Sequence, residues 1–215
     1  MIPKTLHYIW FGGRKNDLAK MCISSYRKYL RDYKIICWNE SNIDYTGYTD
    51  IEMSFFKDSY NKKKYAFCSD LARLHILKEH GGIYVDTDVE FIKNLPDSFL
   101  CTPFISRINP QHTVCNGCIW SCDRNDSLVS SMLSMYISKL ENSVNTHGRD
   151  WIFNTLLKDH FASCGDSLNN SEIVSVLDYN IYPTEYFCPI NWLTGESCIT
   201  DNTISIHHFM SSWVK

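Results

Sequence analysis

What this sequence lacks narrows it first. No apolar run approaches the roughly 20 residues that a membrane-spanning helix needs. The chain goes straight into Met1-Ile-Pro-Lys-Thr5, without the basic and apolar regions of a secretion signal, so the expected compartment is the cytoplasm. Charge of one sign is also missing. With 21 Lys and Arg against 24 Asp and Glu, the balance gives no electrostatic case for nucleic acid or an anionic surface. Lys62, Lys63 and Lys64 make the one basic run, which reads as a solvated face. No G-x-G-x-x-G turn and no Walker sequence appears, which removes the usual support for dinucleotide dehydrogenases and P-loop enzymes.

Cysteine, by contrast, is plentiful. Without a secretion signal its ten residues read as reduced, and Cys22, Cys37 and Cys68 fall in apolar segments where cysteine acts as a small hydrophobe. Cys115, Cys118 and Cys122 have spacings that can hold a metal, but no fourth ligand of matching spacing stands near them. Structural thiols are the default reading. The length of 215 residues and a hydrophobic content of 44% suit one well-buried domain.

The chain is organised around Ser69 to Asp88. Leu71, Leu74 and Leu77, widened by Ala72 and Ile76, recur at helical spacing, with Asp70 and Arg73 neighbours on the polar side. Gly81-Gly82 stops that helix, Ile83 to Val85 makes a short apolar strand, and Asp86 and Asp88 follow at its carboxyl end. Two acids held close need a cation between them or a raised pKa. Hard ions such as Mg²⁺ and Mn²⁺ share carboxylates with substrate phosphates, so the pattern reads as a metal-diphosphate site.

Around that centre, Thr5–Phe11 reads as a strand, and Asn16 or Asp17 caps a helix with Leu18, Met21, Cys22, Tyr26 and Tyr29 on one face. Tyr33–Trp38 completes a βαβ unit. Asn39 to Tyr60 is polar and turn-rich, as for a surface excursion. Val89–Phe91, Phe99–Ser106 and Val114–Trp120 are further strands, while Ser127–Leu140 and Asp150–His160 are helices. Asn116-Gly117 inside an apolar run either lets backbone approach a ligand or marks a bulge. Beyond Glu172 the segments are short and broken by Pro and Gly. Residues 207 to 215, with Phe209, Met210, Trp213 and Val214 irregularly spaced, read as a loop that closes over the site.

Four blocks, Ile2-Pro-Lys-Thr-Leu-His-Tyr-Ile-Trp-Phe-Gly-Gly13, Ser69-Asp-Leu-Ala-Arg73, Gly81-Gly-Ile-Tyr-Val-Asp-Thr-Asp88 and His207-His-x-x-Ser-Ser-Trp213, resemble sugar-transferase family 32 of the GT-A class. More distantly they resemble the catalytic domains of the large clostridial glucosylating toxins. The resemblance implies an α/β fold: a single GT-A domain with a mixed, Rossmann-like sheet flanked by helices, residues 1–95 binding the nucleotide-sugar and 96–215 forming the acceptor side and closing tail. It implies a retaining, metal-dependent hexosyltransferase that uses a UDP-sugar and Mn²⁺ or Mg²⁺.

Trp10 would then stack on uracil, with the backbone at Ile9 and Phe11 reading its edge and Asn39 touching the nucleoside. Asp70 and Arg73 would hold sugar hydroxyls, Tyr84 the ribose side, and Asn116 would be a weaker candidate for the sugar pocket. Asp86 would face ribose and metal-bound water, Asp88 would bind the ion, His208 and Ser211 would lie near it, and Trp213 would donate its indole N–H to the diphosphate. His147-Gly-Arg-Asp150 stands where many relatives carry Gly-Pro. A chain this compact lacks the toxins' helical insertions, so the implied acceptor is a glycan or lipid-linked glycan, in surface or capsular polysaccharide synthesis. Such an acceptor would bring the protein to the inner face of the membrane.

Two other readings use the same acids. In a haloacid-dehalogenase-like phosphotransferase Asp86 would be the nucleophile, with Gly165-Asp166 as the later acid. A non-catalytic nucleotide-sugar binder would keep the pocket, but would more naturally have lost one of Asp70, Arg73, Asp86 and Asp88.

Overall fold

The computed structural model describes residues 1–109, 111, 113–142 and 153–210. The chain begins with β1 (Thr5–Ile9), α1 (Asp17–Tyr29) and β2 (Lys34–Trp38), and β1 and β2 pair in parallel, which makes the expected βαβ unit. Asn16 is the cap of α1, its side chain accepting from the Ala19 N–H at 2.8 Å. The buried face of α1 is Ala19, Cys22, Ile23, Ser25 and Tyr26, so Met21 turns outward instead of joining it.

The excursion expected from Asn39 to Tyr60 contains a helix, α2 (Asp50–Asn61). Thr49 and Glu52 form a capping box at its start, with the Thr49 N–H donating to Glu52 at 2.7 Å. Thr-x-x-Glu ahead of the apolar Phe55 and Phe56 is the signal for it, and it was readable in the sequence. α3 (Tyr65–His80) starts four residues before Ser69 and ends where expected, the Gly81 N–H bonding the Leu77 carbonyl at 2.8 Å. Gly81 and Gly82 have φ of +60° and +91°, and a Cβ at either would fall within 2.7 Å of backbone atoms of Arg124 or Thr5. No other residue type turns this corner without displacing a neighbouring strand.

The remaining elements are β3 (Gly82–Tyr84), β4 (Val89–Phe91), a 3₁₀ turn at Asp97–Leu100, β5 (Phe104–Arg107), β6 (Val114–Cys122), α4 (Ser127–Asn142), α5 (Phe153–Ser163), β7 (Val174–Val176), β8 (Tyr179–Tyr182), α6 (Thr184–Phe187) and β9 (Ser205–His207). The start expected for α5, at Asp150, lies outside the described residues. The strand expected over Phe99–Ser106 is cut back to β5, since its first residues form the 3₁₀ turn.

Seven strands form one mixed sheet in the order β2-β1-β3-β6-β5-β8-β7, and β4 with β9 makes a separate antiparallel pair. One face of the large sheet carries a core built from α2, α3, α4 and α5, with Leu71, Leu74, Trp120, Tyr136 and Phe153 fully buried. On the other face α1, the β4/β9 pair and α6 enclose Tyr26, Phe91, Phe104 and Phe187. With helices on both faces, β3 sits at the centre and its carboxyl end opens toward a cleft. Among the described residues no helix is long and apolar enough to cross a membrane.

Candidate active site

β3 hands its hydrogen bonding to both neighbours before it ends. The Val85 N–H reaches the His7 carbonyl at 3.1 Å and the Asp86 N–H reaches the Gly117 carbonyl at 2.8 Å, so Asp86 leaves the sheet at a fixed point. Gly117 also explains how the carboxylate fits, because a Cβ there would lie 2.0 Å from Asp86 Oδ2. The β5/β6 register shifts between Ile105 and Ser106, opposite the Asn116–Ile119 stretch. Of the two sequence readings of Asn116-Gly117, the bulge is the one seen; the missing side chain makes room for the Asp86 carboxylate.

A first network surrounds that carboxylate. Tyr84 Oη donates to Asp86 Oδ1 at 2.9 Å, and Arg73 Nη2 bridges Asp86 Oδ1 at 3.2 Å and Asp70 Oδ1 at 3.0 Å. The guanidinium lies 4.5 Å from the Tyr84 ring centre, its Nε donates to the Ser69 carbonyl, and its buried Nη1 has no hydrogen-bond partner among the described residues. Asn116 Nδ2 donates to Asp70 at 3.3 Å. Burial raises the Asp70 carboxyl to about 6, against the pull of Arg73.

A second network surrounds Asp88, which is only 8% exposed. His207 Nε2 lies 3.3 Å from Asp88 Oδ1, the Met210 N–H donates to Oδ2 at 2.7 Å, and the His208 N–H donates to the Asp88 backbone carbonyl. Burial works against ionisation here as well, but His207 and the Met210 amide outweigh it and hold the Asp88 carboxyl down at about 2. The same pairing raises His207 well above the usual imidazole range despite its burial.

The histidine beside the acids is thus His207, not His208. β9 pairs Val89 with His207 and Glu90 with Ile206, and the chain turns after it, so His208 points to Glu90 instead, at 2.9 Å. His207 is consequently a strand residue of the core and not part of a closing loop. Ser211 and Trp213 lie outside the described residues.

Arg73, Asp86, Asp88 and His207 line a cleft of about 700 Å³. Ile9, Trp10, Phe11, Tyr84, Trp192, Phe209 and Met210 belong to the same lining. Trp10 is fixed by its Nε1–H to the Gly13 carbonyl at 3.1 Å. Asp70 and Asn116 sit behind Arg73 and not in the lining. Asn39 is removed from it too: its side chain accepts from the Ser41 N–H and hydroxyl in its own turn. Sequence reasoning missed Trp192, for which spacing offers no signal, and placed Met210 in the closing segment without its amide bond to Asp88. Asp166, required by the phosphotransferase reading, is buried in an ion pair with Arg107 and does not line the cleft.

Asp86, Asp88 and His207 each offer a ligand atom, and these atoms lie within 4.8 Å of one another. Two carboxylates and an imidazole fit a hard divalent ion that also takes phosphate oxygens.

Comparison with known proteins bears on the same residues. Residues 16–114 match the family model "Glycosyltransferase sugar-binding region containing DXD motif", a span that includes Asp86-Thr87-Asp88. A glycosyltransferase of Acanthamoeba polyphaga mimivirus is 34% identical over 105 residues, covering 45% of this chain and 39% of that protein. Subversion of eukaryotic traffic protein A of Legionella pneumophila is 24% identical over 159 residues, 61% of this chain and 24% of that one. The matches thus span well under half the length of these relatives. Among solved structures, PaToxG glycosyltransferase gives a TM-score of 0.58 at 20% identity, over 78% of this chain and 73% of its own. A glycosyltransferase involved in the glycosylation of the major capsid of PBCV-1 gives 0.50 at 12%, over 95% and 94%. Residues 16–114 thus match a glycosyltransferase sugar-binding region containing the DXD motif, and the chain has the fold of GT-A glycosyltransferases.

Proposed function

We propose that the chain is a metal-dependent, retaining glycosyltransferase that moves a hexose from a UDP-sugar to a glycan or lipid-linked glycan in surface polysaccharide synthesis. The observation that carries this reading is the placement of Asp86 and Asp88 at one end of a cleft of about 700 Å³ with Trp10 in its wall. An indole face suits a base, and the acids suit a cation-bound diphosphate. Arg73 Nη1, a buried donor without an acceptor, costs about 1–3 kcal/mol as it stands, and a hydroxyl of the donor sugar would satisfy it.

Asp86, Asp88 and His207 would hold Mn²⁺ or Mg²⁺, which when bound offsets charge developing on the departing diphosphate. The protein groups do the rest. Tyr84 and Arg73 fix Asp86, the Met210 amide and His207 fix Asp88, and the Arg73 guanidinium orients the sugar over the acids. Trp192 and Phe209, two aromatic residues of the lining with ring centres 6.5 Å apart, would offer an apolar surface to an acceptor.

The test is a panel of UDP-hexoses assayed for hydrolysis and for transfer to membrane-derived glycolipid, with Mn²⁺, with Mg²⁺ and with excess chelator. Metal-dependent release of UDP from one donor supports the reading. Turnover that survives the chelator, or binding of UDP-sugars with no release under any condition, defeats it, the latter in favour of a binder.

A further inference from the structure

His207 has two faces, and the acids use only one of them. Its Nε2 meets Asp88, while its buried Nδ1 has no hydrogen-bond partner among the described residues. Cys118 and Cys188 each bring a thiol to the same histidine, and the three ligand atoms lie within 4.8 Å of one another. Cys118 comes from β6, Cys188 from the residue after α6 and His207 from the end of β9, so three separate elements converge on one point. Both thiols are fully buried and unoxidised, and His207 is 7% exposed.

From this convergence we infer a second metal site: Cys118 Sγ, Cys188 Sγ and His207 Nδ1 form a three-ligand site for a soft divalent ion of the zinc class. Two thiolates and an imidazole are the donor set such ions prefer, and Zn²⁺ requires about 2.3 Å to sulfur and about 2.0–2.1 Å to nitrogen, within reach of atoms this close. The surroundings fit as well. A metal-binding histidine characteristically gives its other ring N–H to a carboxylate, which fixes the ring and the tautomer, and Asp88 occupies that position. His207 and Cys115 border the cleft, so an ion has a route inward, and the open fourth position would go to water. On binding, the protons displaced from the thiols and from Nδ1 leave to solvent.

This site differs from the acid pair in chemistry: with zinc on Nδ1, His207 gives its Nε2–H to Asp88, and a hard ion beside it is held by the Asp86 and Asp88 carboxylates. Carboxylate oxygens and phosphates suit Mn²⁺ or Mg²⁺, whereas the thiols reject those ions in favour of zinc. Cys115 and Cys122, whose spacing to Cys118 first drew attention, take no part: Cys122 Sγ faces the Leu77 carbonyl on the other side of the sheet. The missing ligands were 70 and 89 residues downstream, beyond any spacing rule.

The test uses the full chain loaded with Zn²⁺, passed over a weak chelating resin and assayed for metal by mass spectrometry, with Co²⁺ as a spectroscopic probe. One Zn²⁺ per chain and thiolate-to-cobalt charge-transfer absorption are expected in the unmutated protein, which needs no variant to fold. Cys118→Ser and Cys188→Ser should each weaken retention at least tenfold, while Cys122→Ser leaves it unchanged. Asp86→Asn, which disables the acid pair, should also leave it unchanged. The proposal is overturned if the unmutated chain retains no zinc, if cobalt shows no thiolate band, if the two cysteines prove to be joined as a disulfide, or if Asp86→Asn abolishes binding and so locates the ion at the acids.

Discussion

Asp86 and Asp88 stand two residues apart, yet they belong to differently built halves of the site. The half around Asp86 is mostly local in sequence: Ser69, Asp70, Arg73 and Tyr84 supply most of it, joined by the more distant Tyr26, Asn116 and Gly117. The half around Asp88 is assembled across the chain, by His207 and Met210. In the first, a guanidinium shared by two acids leaves Asp70 raised. In the second, one acid shared by an imidazole and an amide is held low. Burial alone therefore does not set the charge state of these carboxyls: Asp70 shares its guanidinium with a neighbouring acid, Asp86, that pushes it up further, whereas Asp88 has His207 to itself.

If the halves are separate devices, Asp88→Asn should give the largest effect. It keeps the shape but removes the anion that faces both the ion and His207, and a loss of roughly 10²–10³ in kcat is expected in steady-state assays with saturating Mn²⁺. Near-normal turnover would make the second half a mere support. Next comes Arg73→Ala, which strands two buried or half-buried acids and should cost about 3–5 kcal/mol in urea unfolding. The same variant should weaken an intact UDP-hexose more than UDP in calorimetry, and equal losses would detach Arg73 from the sugar.

Gly117→Ala is smaller and more specific. The added methyl collides with Asp86 Oδ2 and should cost about 1–3 kcal/mol, lowering kcat without altering the Asp88 network. Unchanged activity would mean that the carboxylate swings aside freely.

The opposite displacements of Asp70 and Asp88 sharpen the contrast by pH. A carboxyl raised from 3.8 to about 6 binds its proton more tightly when folded, so stability falls as pH climbs from about 4 to 6 and the cost is complete above that. Asp88, lowered to about 2, contributes stability that is full above about 4 and is lost as pH falls toward 2. In metal-free urea titrations, Asp70→Asn should flatten the first slope by about 1–3 kcal/mol and leave the acid limb intact. The smallest effect is expected from His208→Ala, which breaks a pair whose members are each about a quarter exposed and should cost under about 1 kcal/mol with little change in kcat. A loss matching that of His207→Ala would restore His208 to the acid cluster.

The same division explains what could be read from the sequence. The α3–glycine–β3 unit, with both acids at its end, was legible because every determinant lies within twenty residues and each element announces its own stop. The βαβ start was equally legible from Asn16 and two apolar runs. His207 and His208 could not be told apart, because a strand presents alternate residues and the choice depends on which one pairs with Val89. That register sets Ser205 opposite Phe91, with its hydroxyl donating to the Phe187 carbonyl, contacts that lie far from His207 along the chain. Asn39 failed for the converse reason: a local turn captured a side chain that the resemblance assigns to a ligand.

The bond from the Met210 amide to Asp88 spans 122 residues. At about 5–20 residues per second of synthesis, Asp88 emerges from a ribosome roughly 6–24 s before the groups that restrain it. For that interval the first half of the site has all its local parts while the second has none, and loop-closure entropy delays the joining further. The nascent chain therefore carries a half-made cleft whose open acid is accessible to any hard cation in the cell, and its quality control becomes a matter of timing: whatever stalls translation between α5 and β9 leaves a species that has a folded scaffold and an unguarded centre.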